Sequence, residues 1–173
     1  MTTLRNKLLF ALFLTFFSFI VSSQNLKKSI AGAAFSPLDG GSANFFNGCF
    51  VNRLLNGAGS DGSLYTGVDI PVGATITGLT AYFFDMALQN DTRPMLIFRK
   101  KNGFSNVVNL AIAQTEVNVG DFPGYYEQFA DLDSDYIVQE NDFFDLIFVS
   151  GNSTVVNAYY ICGVEIFYQL DIQ

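Results

Sequence analysis

The sequence contains no histidine and no tryptophan, only two cysteines and four prolines, and nine basic residues against sixteen acidic ones. The absence of histidine excludes a Ser-His-Asp or Cys-His relay within this chain, because each needs an imidazole to carry the proton. It also removes the commonest zinc ligand, and two cysteines alone cannot complete a four-ligand structural zinc site. The absence of tryptophan weakens the case for a sugar-stacking platform, although tyrosine can serve. The shortage of Lys and Arg opposes binding to nucleic acid, whose phosphates need cations, and adsorption to anionic membranes. The one basic run, Arg99-Lys100-Lys101, precedes Asn102-Gly103 and reads as a solvated hairpin tip.

The chain has one long apolar run. Arg5 and Lys7 precede Leu8 to Val21, apolar except for Thr15 and Ser18, and Ser22-Ser23-Gln24 follows. Basic, then apolar, then small is the order of a secretory signal peptide. The run holds 14 residues, short of the roughly 20 that span a bilayer comfortably. Cleavage is expected before Gln24, which divides the chain into a signal peptide, 1–23, and a domain, 24–173. The exported chain would carry seven basic and sixteen acidic residues, a net charge of −9, and fourteen of the nineteen phenylalanines. Its destination is extracytoplasmic: periplasm, cell surface or extracellular space.

About 150 residues is one domain by size, able to bury roughly two-thirds of its unfolded surface. Strand signals dominate it. From Val155 to Tyr168, Val156, Ala158, Tyr160, Cys162, Val164, Ile166 and Tyr168 occupy alternate positions and are all rather apolar. A period of two over that length predicts a long strand with one buried face. Phe143 to Val149 is nearly all apolar, and Ser150-Gly151-Asn152-Ser153 reads as a hairpin turn joining the two. Met95 to Arg99 and Val107 to Thr115 flank Asn102-Gly103, a pair that tolerates the positive φ of a tight turn. Phe45–Val51, Leu64–Ile70, Ile76–Phe84 and Tyr125–Ala130 complete the set, with Gln24 to Asp39 as a loose lead-in. No stretch sustains a helical period. Eight or nine short strands with frequent turns predict an all-β, antiparallel sandwich or jelly roll. An eight-stranded outer-membrane barrel is the alternative, against which polar residues such as Asn157 and Glu165 interrupt faces that lipid would require to be apolar.

Val68-Asp69-Ile70-Pro71-Val72-Gly73-Ala74-Thr75-Ile76-Thr77-Gly78-Leu79-Thr80-Ala81-Tyr82 resembles a segment that recurs in exported bacterial proteins of unassigned function. The stretch from Asn141 to Tyr168, ending in Val164-x-Ile166-x-Tyr168, is similar to the close of that domain. The resemblance implies a β-sandwich outside the cytoplasm and carries no catalytic residues. Independently of it, Pro71 ends a strand, Gly73 permits a turn, and Thr and Tyr suit the strand that follows.

Cys49 and Cys162 are delivered by export to a compartment where disulfides persist. A bridge would clip the two ends of the domain together, closing a loop worth about 4–5 kcal/mol in the chain-entropy model. Two buried free thiols are the alternative, since free cysteine also packs well. A pair in an oxidising compartment favours the bridge.

Weaker motifs remain. Gly57-Ala58-Gly59-Ser60-Asp61-Gly62 matches G-x-G-x-x-G, but a strand follows where a dinucleotide site needs a helix. Asp131, Asp133 and Asp135 alternate as at the start of a calcium loop, with Asp142 at its twelfth position. Tyr136 stands where glycine is required, which excludes an EF-hand and leaves a looser Ca²⁺ site or an acidic surface loop. Asp142 and Asp145 are the carboxylates to test for acid–base work on a glycoside. Tyr125 and Tyr126 follow a turn and could present a sugar- or protein-binding aromatic, one of them packing inward as alternation demands. Asn90 and Asn152 head glycosylation sequons.

These features predict a non-enzymatic, extracytoplasmic β-sandwich with a structural role or one that binds a protein partner or itself. A carbohydrate- or calcium-dependent binding module is the second expectation and a small carboxylate-based glycosidase the third. No organic cofactor, nucleic-acid partner or mature membrane span is expected.

Overall fold

The structure, a computed structural model, describes residues 22–37, 42–46, 48–53, 63–85, 94–102, 106–114, 124–149 and 159–172. The expected signal peptide up to residue 21, both sequons, the 57–62 glycine motif and the 150–153 turn lie outside them. Eleven strands run in chain order: β1 (Ser22–Ala31), β2 (Ser36–Pro37), β3 (Ser42–Phe46), β4 (Cys49–Arg53), β5 (Ser63–Val68), β6 (Thr75–Asp85), β7 (Met95–Asn102), β8 (Asn106–Gln114), β9 (Gly124–Ile137), β10 (Asp142–Val149) and β11 (Tyr159–Ile172). Among the described residues the only helical element is a 3₁₀ turn, Gly32–Ala34.

The strands form two antiparallel sheets. One has the order β3-β4-β11-β6-β9, with β1 also pairing β11; the other has the order β2-β5-β10-β7-β8. Alternation builds the core between them. Ile76, Leu79, Ala81 and Phe83 of β6 and Ile161, Val164 and Ile166 of β11 meet Leu64 of β5, Leu96 and Phe98 of β7, and Leu146 and Phe148 of β10. Phe83 and Phe148 touch across the layers, ring centroids 5.9 Å apart. Each Val, Leu, Ile or Phe among them contributes about 1.5–3 kcal/mol by leaving water. The sandwich is thus the expected all-β antiparallel architecture.

The 71–74 turn forms as its residues suggest. The Ala74 N–H donates to the Pro71 carbonyl at 3.1 Å, and Gly73 takes φ +82°, a conformation that glycine adopts without strain. β7 and β8, the strands expected to flank Asn102-Gly103, pair antiparallel; residues 103–105 lie outside the described residues.

Four expectations are corrected. Phe143–Val149 and the last strand do not form a hairpin: β10 pairs β5 and β7 in one sheet, and β11 pairs β1, β4 and β6 in the other. β10 is a nearly continuous apolar run and β11 a long alternating one, and each is a central strand of its own layer. Of the 24–39 segment, the described residues 24–37 are not a loose lead-in. β1 runs in register with β11 over ten residue pairs, and Ile30 enters the core opposite Val164. Arg99-Lys100-Lys101 is not a solvated tip; all three lie within β7 and carry carboxylate or hydroxyl partners.

The fourth correction concerns the last strand itself. Ile161 faces Phe83 and Gly163 faces Tyr82, so Cys162 is an extra residue, a β-bulge. A bulge shifts the alternation by one. Tyr160 and Cys162 therefore join Cys49 and Phe84 in a separate cluster, while Val164 and Ile166 enter the core.

Candidate functional site

The bulge directs aromatic side chains onto the outward face of the six-stranded sheet. β9 presents Tyr125, Glu127 and Phe129 at alternate exposed positions, with Tyr125 62% and Phe129 51% exposed. On β6 these three lie opposite Phe84, Tyr82 and Thr80. On β11, Tyr160 lies beside Phe84 and Phe167 beside Gly78. The rings touch in two rows. Phe84 is 4.7 Å from Tyr125 and 6.2 Å from Tyr160 between centroids, and Phe129 is 6.3 Å from Phe167. Phe84 and Tyr160 are buried and form the base, on which Tyr125 rests in the open. Burial pushes the Tyr160 hydroxyl pKa up.

Gly78 makes room for the second row. A Cβ built there would stand 3.1 Å from the Phe129 ring and 3.2 Å from the Ala130 carbonyl. The ring lies across the bare glycine, which is how an aromatic side chain shields a strand glycine.

Polar groups sit between the rows. The Tyr82 hydroxyl donates to Glu165 at 3.3 Å, and Lys27 of β1 donates to Glu165 at 2.6 Å. The Lys27 hydrogen bond, then its charge, holds the Glu165 carboxyl below its ordinary range. The reciprocal bond raises Lys27. Tyr82 is raised by burial first and then by the charges of Glu165 and Glu127 on either side. Glu127 has no cation partner among the described residues. Rings that offer apolar faces, with hydrogen-bonding groups between them, match the two chemistries of a sugar ring.

Beneath this face, Cys49 and Cys162 form a disulfide between neighbouring strands β4 and β11. The expected pairing is present, on the outward side of the sheet.

The remaining sequence candidates disperse. Tyr125 joins the aromatic face, whereas Tyr126 lies opposite the core residue Phe83, on the other side of β9. Asp131, Asp133 and Asp135 are exposed along β9. Asp142 is elsewhere, its side chain fully buried. Its Oδ2 accepts from the Tyr136 hydroxyl at 2.6 Å and the Gln139 N–H at 2.8 Å. Lys100 donates to that hydroxyl at 2.8 Å. Burial first, and then the bond to Asp142, raise the Tyr136 pKa. Among the described residues no three acids or cysteines are gathered as a metal ion needs.

Asp142 and Asp145, three residues apart on one strand, point to opposite faces. Asp145 faces outward and accepts from Arg99 through both oxygens at 2.8 Å, with Lys101 beside it. Burial pushes its pKa up, but these cations pull harder and leave it lowered. A general acid on a glycoside needs the reverse.

The outward face of the five-stranded sheet differs in character. Tyr65, Ile147, Ile97 and Ile112 stand in one cross-strand row, with Tyr65 and Ile112 exposed. The Arg99–Asp145–Lys101 ion pairs lie beside it.

No protein-family model matches the sequence, and no curated protein matches it either. Among solved structures, the chain is similar to a mutant of the family 29 carbohydrate-binding module CBM29-2, at 11% identity and TM-score 0.48, over 83% of this chain and 86% of that one. It is similar to the GH26-CBM35 β-(1,4)-mannanase of Podospora anserina, at 10% identity and TM-score 0.46, over 85% of this chain and 28% of the other. A third likeness is to the K3 cleaved adhesin domain of Lys-gingipain from Porphyromonas gingivalis, at 13% identity and TM-score 0.42, over 84% of this chain and 91% of that one. No helix among the described residues is long and apolar enough to cross a membrane.

Proposed function

We propose that this protein is a non-catalytic, extracytoplasmic β-sandwich module that binds carbohydrate on the outward face of its six-stranded sheet. The observation that carries the reading is the pair of aromatic rows, Tyr125–Phe84–Tyr160 and Phe129–Phe167, with Tyr82, Glu165 and Lys27 between them. Large exposed rings on a rigid sheet are costly to leave in water and lose little conformational entropy when a ligand stacks on them. The Cys49–Cys162 bridge supports a location in an oxidising compartment. Asp145, neutralised by Arg99 and Lys101, argues against acid–base chemistry at the carboxylates singled out in the sequence.

The test is a glycan array with the purified protein, followed by titration of the best ligand. Tyr125→Ala should weaken binding about tenfold or more with the melting temperature nearly unchanged. Gly78→Ala, which pushes on Phe129, should weaken it as well. Wild-type affinity in both variants would move the ligand off this face.

A second reading is a protein contact on the other outward face, favoured by the Tyr65–Ile147–Ile97–Ile112 row. It predicts concentration-dependent self-association, or capture of a protein ligand, that Ile112→Asp abolishes while glycan binding persists.

A further inference from the structure

Acidic residues outnumber basic ones on the aromatic face. Glu127 and Asp131 of β9, and Glu165 and Asp171 of β11, lie on its outward register. Lys27 is a cation set among them, and Glu165 already holds it at 2.6 Å. Glu127 stands apart from that pair: exposed, without a cation among the described residues, and two positions along β9 from Tyr125 and from Phe129. Residues advance about 3.3 Å each along a strand, so the Cα atoms of Tyr125 and Phe129 lie about 13 Å apart with that of Glu127 midway.

A carboxylate between two exposed rings recognises a cation. The carboxylate attracts the charge, and a ring face within about 6 Å of the cation adds to that attraction. The same rings stack on the C–H faces of a saccharide. A neutral sugar can donate hydroxyls to Glu127 but brings no charge to pair with it, and an acidic sugar is repelled by the face and by the net −7 of the chain. An amino sugar with a free ammonium uses both features. The spacing of the rings favours a chain of several sugars over a single one.

We propose that the outward face of the six-stranded sheet binds an amine-bearing glycan, a polymer of non-acetylated amino sugars whose ammonium group meets Glu127 between Tyr125 and Phe129. This inference rests on the carbohydrate reading above and names its ligand class.

The experiment is calorimetric titration of the purified protein with four probes at low and high salt. They are glucosamine oligomers, the same oligomers fully N-acetylated, neutral gluco-oligosaccharides and oligolysine. Glucosamine oligomers should bind about tenfold tighter than their acetylated counterparts, and salt should erode that preference. Glu127→Gln should abolish the preference while leaving the melting temperature and the weaker binding of acetylated oligomers intact. Tyr125→Ala should weaken both. Equal binding of the two oligomers, or an undiminished preference in Glu127→Gln, overturns the amine assignment and leaves the carbohydrate reading standing. Binding of oligolysine with no response to any sugar overturns both and makes the ligand a basic peptide. Silence with all four probes also overturns both.

Discussion

Asp145 faces outward from β10, yet its side chain is only 10% exposed, because Arg99 and Lys101 close over it. The bidentate bond from Arg99 is the strong form of a charge-assisted hydrogen bond. Removing the carboxylate would leave two half-buried cations facing each other. Asp145→Asn should therefore cost about 1.5–3 kcal/mol of stability at neutral pH, measured by urea denaturation. The folded pKa lies below the ordinary 3.8. The ionised contribution is thus fully present above that value and is lost as pH falls through the lowered one. The deficit of the variant should narrow below about pH 4; a constant gap between pH 7 and pH 3 would show that the carboxylate's charge is not what stabilises. That Asp142 and Asp145 would part company was legible in the sequence, since residues three apart on a strand face opposite ways. That Asp145 would be neutralised by Arg99 and Lys101 was not, because β7 and β10 are brought together only by the sheet.

β11 is the element on which the site depends. It pairs β1, β4 and β6, and its bulge at Cys162 turns Tyr160 and the disulfide outward. β4 is held to β11 through the Ile161–Phe50 pair and the disulfide, whose cysteines are 113 residues apart. Replacing both cysteines with serine should lower stability by about 4–5 kcal/mol in the chain-entropy model. Hydrogen exchange should show the β3–β4 ribbon, Ser42–Phe46 with Cys49–Arg53, losing protection before β6 does. Simultaneous loss in both would mean that the ribbon is held by the whole sheet and that the bridge is not its tether. The length and buried character of this strand could be read from its alternation. The bulge could not, because one inserted residue leaves composition unchanged and shows only in pairing to a neighbour.

At the scale of the molecule, β9 is paired on one side only among the described residues, to β6. Edge strands invite pairing with other chains. Against β6, β9 moves from Asp131 to Tyr136 while its partner moves only from Gly78 to Ile76. Asp133, Ser134 and Asp135 therefore bulge out, all exposed. Charge and irregularity at an edge are the two devices that block such pairing. Replacing Asp131, Asp133 and Asp135 together with Asn should leave the far-UV circular dichroism unchanged and produce concentration-dependent association by light scattering. A triple variant that stays as dispersed as the parent would remove this role from the aspartates.

The sequence by itself determined the class of the protein. Alternating apolar residues and the Pro71–Gly73 turn specify antiparallel strands; a lack of histidine and a surplus of acid close off whole families of chemistry; a pair of cysteines suffices for one bridge. These are local or compositional properties, and they survive without knowledge of neighbours. Only the tertiary structure decided which strands share a sheet, that β10 and β11 part into different layers, and that Tyr125, Phe84, Tyr160, Phe129 and Phe167 share one outward face around Glu127. Those facts depend on cross-strand register between residues as far apart in the chain as Thr75 and Gln169. Register is set by how the two sheets bury their apolar faces against each other, a condition on the whole chain that no single segment carries.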